Sequence, residues 1–282
     1  MKRKIISLPY SSKVFLAPME EVNDPAFRMI CKKAGAGLTW TPLSSPLSPV
    51  PLILDDKPIL QIFGTETKGI VEFMKKYDSQ VSGWDFNLGC PATTAKNHGY
   101  GAYLEDVEKV EEIVSLMRKY TKKPLSIKIR KSKLADKFLE IAEKYCDVIG
   151  IHPRTRPQGY SGEPDIEWAK EFKVKAKIPV IYSGDVDEKN AEERLSQFDY
   201  VMIGRKAIGH PEIFAKITNT PFKKDFKDYL KLAEKYKIQW RLIKFQAMQF
   251  TRGERSSRQK RNAMARTLNL EDLKKVFFEK QN

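Results

Sequence analysis

A chain of 282 residues is long enough for one large α/β domain with an appendage, or for two ordinary domains. Three widely spaced cysteines (Cys31, Cys90, Cys146) without a CxxC pair exclude a disulfide framework and argue against a structural metal site, and no apolar run of signal or membrane-spanning length follows the basic start Met1-Lys2-Arg3-Lys4. The formal charge of +15 is uneven: residues 221–282 carry 17 Lys and Arg against 7 Asp and Glu, and residues 1–220 carry 34 against 29. A basic block on a nearly balanced body suggests a footprint for a polyanion such as nucleic acid, the alternative being a solvated Lys- and Glu-rich surface. A soluble, cytoplasmic protein in a reducing setting is expected, monomeric and without membrane contact.

In chain order, Lys13–Ala17 reads as a strand and Pro25–Ala34 as a helix with Asp24 as its cap. Gly37–Thr41 is a second strand, followed by a Pro- and Ser-rich loop, Pro42–Pro51. Pro58–Phe63 is a third strand and 66–77 a helix. The alternating run Val81–Leu88 is the fourth strand, ending in Asn87, a turn marked by Gly89 and Pro91, and the thiol of Cys90. Taken alone, Cys90 has two readings, a small buried hydrophobe or a proton donor or nucleophile on a loop. Helices follow over 106–120, 136–145, 165–173, 188–196 and 207–216, interleaved with strands at Pro124–Ile129, Asp147–His152, Ile178–Ser183 and Tyr200–Gly204.

Eight strands alternating with helices predict an α/β chain folded as a closed (β/α)8 TIM barrel over residues 1–220. A doubly wound sheet is the alternative, weakened because no GxGxxG string follows any strand. From 221 to 282 the spacing of three and four predicts a small, basic helical domain, with Trp240, Phe245 and Phe250 in its core.

Function in a barrel sits where strands end, so Pro18, Met19, Gln61, Asn87, Cys90, Lys128, His152, Ser183, Gly184, Asp185, Gly204 and Arg205 should converge on one mouth. Lys128, within Ile127-Lys128-Ile129, should point into the barrel, where an unpaired ammonium is costly; an anionic ligand or a neighbouring carboxylate would explain it. The pairs Gly184-Asp185 and Gly204-Arg205 mark the usual barrel site for a phosphate, with a helix N-terminus behind and Arg205 as a clamp. In the tail, Arg252, Arg255, Arg258, Lys260 and Arg261 read as a phosphate-gripping turn between two helices, or as a solvated helix end.

The strings Phe15-Leu16-Ala17-Pro18-Met19, Asn87-Leu88-Gly89-Cys90-Pro91, His152-Pro153-Arg154-Thr155-Arg156 with Gln158, Tyr160 and Gly162, Ser183-Gly184-Asp185, and Val201-Met202-Ile203-Gly204-Arg205 resemble those of the tRNA-dihydrouridine synthases over about residues 13–212. The resemblance implies reduction of the C5=C6 bond of particular uridines in tRNA, by FMN that NADPH or NADH re-reduces. It implies that Pro18, Met19, Gln61, Lys128 and His152 line the flavin ring and ribityl chain. Ser183, Asp185, Gly204 and Arg205 would hold the ribityl chain and phosphate, Asn87 would orient the uracil, and Cys90 would be the general acid. Arg154 and Arg156 are expected near the mouth, bridging site and RNA backbone. The chain departs from the family pattern at Pro42-Leu43, at Ala92-Thr93-Thr94 and at Ser183, where Asn is more usual. Two other functions remain open: a flavin barrel acting on a free pyrimidine, and a non-catalytic RNA-binding barrel.

Overall fold

A computed structural model describes residues 5–253 and 257–278. Among these, seven parallel strands form one curled sheet: β1 (Val14–Leu16), β2 (Ile59–Ile62), β3 (Gly83–Leu88), β4 (Leu125–Arg130), β5 (Val148–His152), β6 (Val180–Ser183) and β7 (Tyr200–Ile203). Their spatial order is β1-β7-β6-β5-β4-β3-β2, which leaves β1 and β2 at the two edges. The expected second strand lies between those edges and closes the barrel, but as isolated bridges, Leu16 to Thr39 and Trp40 to Ile59. One backbone group is diverted, the Trp40 carbonyl accepting from Asn23 Nδ2 at 2.9 Å, and the Thr39 side-chain hydroxyl donates to Asp56 at 2.6 Å. The (β/α)8 TIM-barrel architecture is therefore present, with its second strand reduced.

Strand alternation sorts the side chains into two cores. Leu60, Trp84, Phe86, Ile127, Ile149, Ile151, Val180 and Val201 point outward and pack under the helices. Phe15, Trp40, Ile59, Val148, Ile181 and Met202 fill the barrel interior. Each fully buried aliphatic or aromatic side chain contributes about 1.5–3 kcal/mol, which offsets the polar residues sharing that interior. Those residues continue the inward rows: Asp85 and Asn87 on β3, and Ser126, Lys128 and Arg130 on β4. Register places Asn87 and Gly150 on either side of Lys128, and a Cβ at Gly150 would lie 3.2 Å from Lys128 Cγ, so this glycine makes room for the lysine stem.

The barrel helices are α1 (Pro25–Lys33), α2 (Ile70–Tyr77), α3 (Thr93–His98), α4 (Val107–Tyr120), α5 (Ala135–Tyr145), α6 (Ile166–Lys175), α7 (Ala191–Gln197) and α8 (Glu212–Thr218). Asp24 caps α1 by accepting from Phe27 N–H, with Pro25 at the first helical position. Asp106 and Asp165 cap α4 and α6 in the same way. Three helices start later than the pattern predicts, the one expected from 188 beginning at Ala191. The one expected from 66 begins at Ile70, after Gly69 at φ 76°. The one expected over 207–216 is split into a 3-10 turn (Arg205–Ala207) and α8. Between them lies Gly209 at φ 77°, where a Cβ would sit 2.1 Å from the Gln249 carbonyl oxygen, and Pro211 lacks the N–H that a continuous helix needs. Helix α3 lies in the connection after the Cys90 turn, ahead of the helix expected from 106.

Four helices follow: α9 (Phe226–Lys235), α10 (Trp240–Phe250), α11 (Ser257–Arg266) and α12 (Leu270–Phe278). They do not form a core of their own. Tyr229, Leu230, Ile243, Ala247, Phe250, Met264 and Leu273 belong to the same buried cluster as Phe27, Ile30 and Cys31 of α1, and Trp240 and Phe245 pack on its margin. No helix among the described residues is long and apolar enough to cross a membrane.

Candidate active site

The strand ends meet at a cavity of about 330 Å³, within the size range of small-molecule sites. Pro18, Met19, Gln61, Asn87, Cys90 and Lys128 line one part of it; His152, Ser183, Gly184, Asp185, Gly204 and Arg205 line the rest. Every residue expected at the mouth from the strand ends thus lines one cavity. Among the described residues, no cluster of His, Cys, Asp or Glu is arranged to hold a metal ion.

A hydrogen-bonded chain inside the barrel sets the position of the thiol. Asp85, 1% exposed, accepts from Ser126 Oγ at 2.6 Å and from Gln61 Nε2 at 2.5 Å. Gln61 Oε1 accepts from Asn87 Nδ2 at 2.8 Å, which fixes the orientation of the Asn87 amide. Asn87 Oδ1 then accepts from the backbone N–H groups of Gly89 (3.1 Å) and Cys90 (2.9 Å). Asn87 therefore builds the turn carrying Cys90, and only its second Nδ2 hydrogen is left for a ligand. On the other side of the turn, Gly101 at φ 63° would place a Cβ 2.9 Å from the Cys90 carbonyl oxygen, so glycine is required there. Cys90 is half-buried. Burial pushes its thiol above the ordinary range, against the backbone N–H of Ala92 and the charges of Arg130 and Lys128, so the group is a protonated thiol at neutral pH.

Lys128 is half-buried at the cavity wall, and its Nζ has no hydrogen-bond or ion-pair partner among the described residues. Burial, then the like charge of Arg130, lower its pKa to about 8, against weaker support from Asp85 and Cys90. Asp85 lies below it without an ion pair, so the neighbouring carboxylate does not account for the lysine by contact.

His152 is 7% exposed. Burial and the charges of Lys128, Arg130, Arg154 and Arg205 push its pKa down to about 2, so the ring is neutral. Its Nε2 lies 3.5 Å from Arg154 Nη1, which can only donate, leaving the ring proton on Nδ1. A histidine whose folded pKa lies below its unfolded value of about 6.5 contributes stability that is complete above that pH and is lost as the pH falls through and below it. The ring is expected to show no protonation by NMR between about pH 8 and about pH 5. Stability should fall on acidification below about 6.5, with a slope that His152→Asn reduces; a ring titrating near its unfolded value would contradict this.

Arg154 departs from expectation. Instead of standing at the mouth, it is 1% exposed beneath the cavity, donating to the Gly162 carbonyl oxygen, to Ser161 O at 3.2 Å and to Asp185. Asp185, a non-glycine residue at φ 49°, also accepts from Arg205. Burial raises the Asp185 carboxyl, but hydrogen bonds and charge from Arg154 and Arg205 outweigh it, and the pKa is lowered. Arg156 lies to the side, bonded to Ala102 O at 3.0 Å and Glu105 at 2.8 Å, with its guanidinium 4.5 Å from the Tyr103 ring centre. The helix start expected behind Gly204 is the 3-10 turn Arg205–Ala207. Gly204 faces the cavity, where a Cβ would come within 3.7 Å of Ala17 and Met19, whereas Gly184 is packed against Tyr182, Pro153 and Pro164.

Arg130, Tyr160 and Glu20 are among the cavity residues not expected from the strand ends. Arg130 is 4% exposed and donates to Gly89 O (2.8 Å) and Gly159 O (2.7 Å); it shares the inward face of β4 with Lys128, so alternation could have found it. Tyr160 lies with its ring between Arg130 (5.2 Å) and Arg205 (5.0 Å). Glu20 accepts from Leu43 N–H at 3.2 Å. In the tail, Arg252 is exposed at the end of α10, while Arg258, Lys260 and Arg261 lie on α11 rather than in a turn. Lys260 Nζ sits 4.7 Å from the Phe277 ring centre. Arg255 lies outside the described residues.

Comparison with known proteins follows the same lines. The family model of dihydrouridine synthase (Dus) matches residues 15–281. A probable tRNA-dihydrouridine synthase of Rickettsia bellii is 34% identical over 238 residues, covering 76% of this chain and 73% of the relative. The tRNA-dihydrouridine synthase B of Xanthomonas axonopodis pv. citri is 34% identical over 236 residues, covering 75% and 71%. Among solved structures, the old yellow enzyme homologue of Zymomonas mobilis superposes with a TM-score of 0.51 at 12% identity over 78% of this chain and 92% of that one. This last likeness speaks for the barrel alone. With the family pattern running through barrel and tail, and relatives sharing a third of their residues, the chain belongs to the dihydrouridine synthase family.

Proposed function

We propose that this protein reduces the C5=C6 bond of specific uridines in tRNA to 5,6-dihydrouridine, with FMN as cofactor and NADPH or NADH as reductant. The observation that carries the reading is the pairing, on one cavity, of a thiol kept protonated by burial (Cys90) with a half-buried ammonium that has no ion-pair partner among the described residues (Lys128). A flavin fits the residues present. Lys128 supplies positive charge for an electron-rich ring, neutral His152 offers a donor or acceptor, and Gly204 leaves an open wall beside Met19. Ser183, the Asp185 turn and Arg205 can take the ribityl chain and phosphate; in doing so Arg205 would exchange or share its Asp185 contact.

A flavin held there would supply the hydride for C6 of the uracil. The chain supplies the rest. Cys90 donates its S–H proton to C5, and Lys128 and Arg130 stabilise the thiolate left behind until solvent reprotonates it. Asn87 holds the Cys90 turn and offers its remaining N–H to a uracil carbonyl. The target base must leave its stack, at a cost of a few kcal/mol that backbone contacts offset. We assign those contacts to the basic helices of residues 221–282, through Arg252, Arg255, Arg258, Lys260 and Arg261, with phosphate contacts rather than base reading. Arg156, at the rim and half-exposed, is the nearer of the two candidate arginines to such a backbone.

Purified protein should be yellow and, with NADPH or NADH, should convert uridines in unmodified tRNA. Turnover of free uracil or orotate with no action on tRNA would replace this reading by a free-pyrimidine reductase, and a protein that takes up no flavin would replace it by a non-catalytic RNA-binding barrel.

A further inference from the structure

Residues 17–24 join β1 to α1. On one side they form the cavity wall, through Ala17, Pro18, Met19, Glu20 and Val22. The other side is held from α9 and α10, more than two hundred residues later in the chain. Gln246 Nε2 donates to the Val22 carbonyl oxygen at 2.9 Å and to Asp24 Oδ2 at 3.3 Å. Tyr229 Oη donates to the same Asp24 oxygen at 3.2 Å. Arg241 places both terminal nitrogens 2.9 Å from Glu21 Oε1. Inside the barrel, Asn23 Nδ2 donates to Ala17 O at 2.8 Å and closes the segment on itself.

Two features mark these contacts as more than packing. Glu21 is a non-glycine residue at φ 57°, a strained conformation that persists only where its surroundings over-determine it. Gln246 is wholly buried in the apolar face of α10, with Oε1 lacking a partner among the described residues. A leucine there would remove the orphaned Oε1 but leave the Val22 carbonyl unpaired and take one donor from Asp24, so what the amide supplies is its hold on residues 17–24. We propose that Gln246 and Tyr229 are positioning residues for the active site: the helical tail is the rear support of the wall formed by Pro18, Met19 and Glu20, as well as a basic surface.

The inference rests on the flavin reading above for its functional consequence, but not for its structural one. In Gln246→Leu, amide hydrogen exchange across residues 17–24 is expected to rise about tenfold, and the flavin dissociation constant of the apoprotein to rise by about the same factor, the consequence of leaving one buried carbonyl unpaired. kcat should fall, while KM and affinity for tRNA stay within about twofold. Tyr229→Phe, which removes one hydroxyl and keeps the ring, should move the same readouts in the same direction by less, and decides the matter if Gln246→Leu does not fold. Exchange at 17–24 unchanged in both variants, or raised equally throughout α1 and α10 with flavin affinity unaltered, would overturn the proposal. A parent protein that binds no flavin would overturn the functional reading and leave the exchange result to decide this one.

Discussion

A Cys90→Ala variant is expected to bind flavin and tRNA as the parent does and to form dihydrouridine about 10²–10⁴ times more slowly, the usual contribution of a positioned general acid. Binding should survive because the turn is built by the Asn87 side chain on backbone N–H groups, which alanine keeps. Chemistry should not, because no other residue on the cavity offers a comparable proton: His152 is neutral, with its Nε2 turned to Arg154, and Lys128 is needed as a charge. The protonation state can be checked independently. With the thiol pKa raised, alkylation of Cys90 by iodoacetamide should be slow at neutral pH and accelerate only at more alkaline pH than for an ordinary cysteine. Dihydrouridine formation undiminished in Cys90→Ala would remove the thiol from the mechanism.

Replacing Lys128 by methionine is expected to weaken flavin binding and slow flavin reduction by nicotinamide, together about 10²-fold, the scale of losing one preorganised electrostatic contact. Methionine keeps most of the stem that packs on Gly150, so the loss reports the charge rather than a cavity. The pH dependence carries a sign. In the empty site the ammonium pKa is lowered to about 8, so flavin uptake by the apoprotein should decline as pH rises through that value. Once an anionic ligand is bound, the positive form is favoured again, and the decline should move to higher pH. Flavin occupancy and reduction unchanged in Lys128→Met would show that the charge serves the fold alone.

The legible part of the site follows from strand alternation. An ionisable residue in an apolar strand, as in Ile127-Lys128-Ile129, must face either water or a ligand, and in a barrel strand that means the inner wall. The same rule brings Asn87, His152 and Ser183 to the cavity, and would have brought Arg130. Less legible were residues whose direction is set after the strand ends. Arg154 follows Pro153, and its side chain turns inward because Gly162 and Asp185 supply acceptors there, which no local pattern reveals. The reduced second strand is similar: Gly37–Thr41 has strand composition, but Asn23 and Asp56, distant in sequence, take its polar groups. In the tail, the spacing of three and four pointed to a helical segment but not to what its apolar faces cover. Helix α10 reads as an ordinary amphipathic helix, and only the fold shows Gln246 reaching Val22 and Asp24 behind the cavity. The buried cluster runs from α1 into these helices, a contact that sequence spacing does not reveal.

Site-resolved mapping of dihydrouridine in tRNA from cells lacking this protein tests the central claim most directly, because it reads substrate and position together. One or a few positions should revert to uridine, regain dihydrouridine when the parent protein is restored, and remain uridine when Cys90→Ala is supplied instead. A dihydrouridine pattern identical with and without the protein would contradict the proposed function.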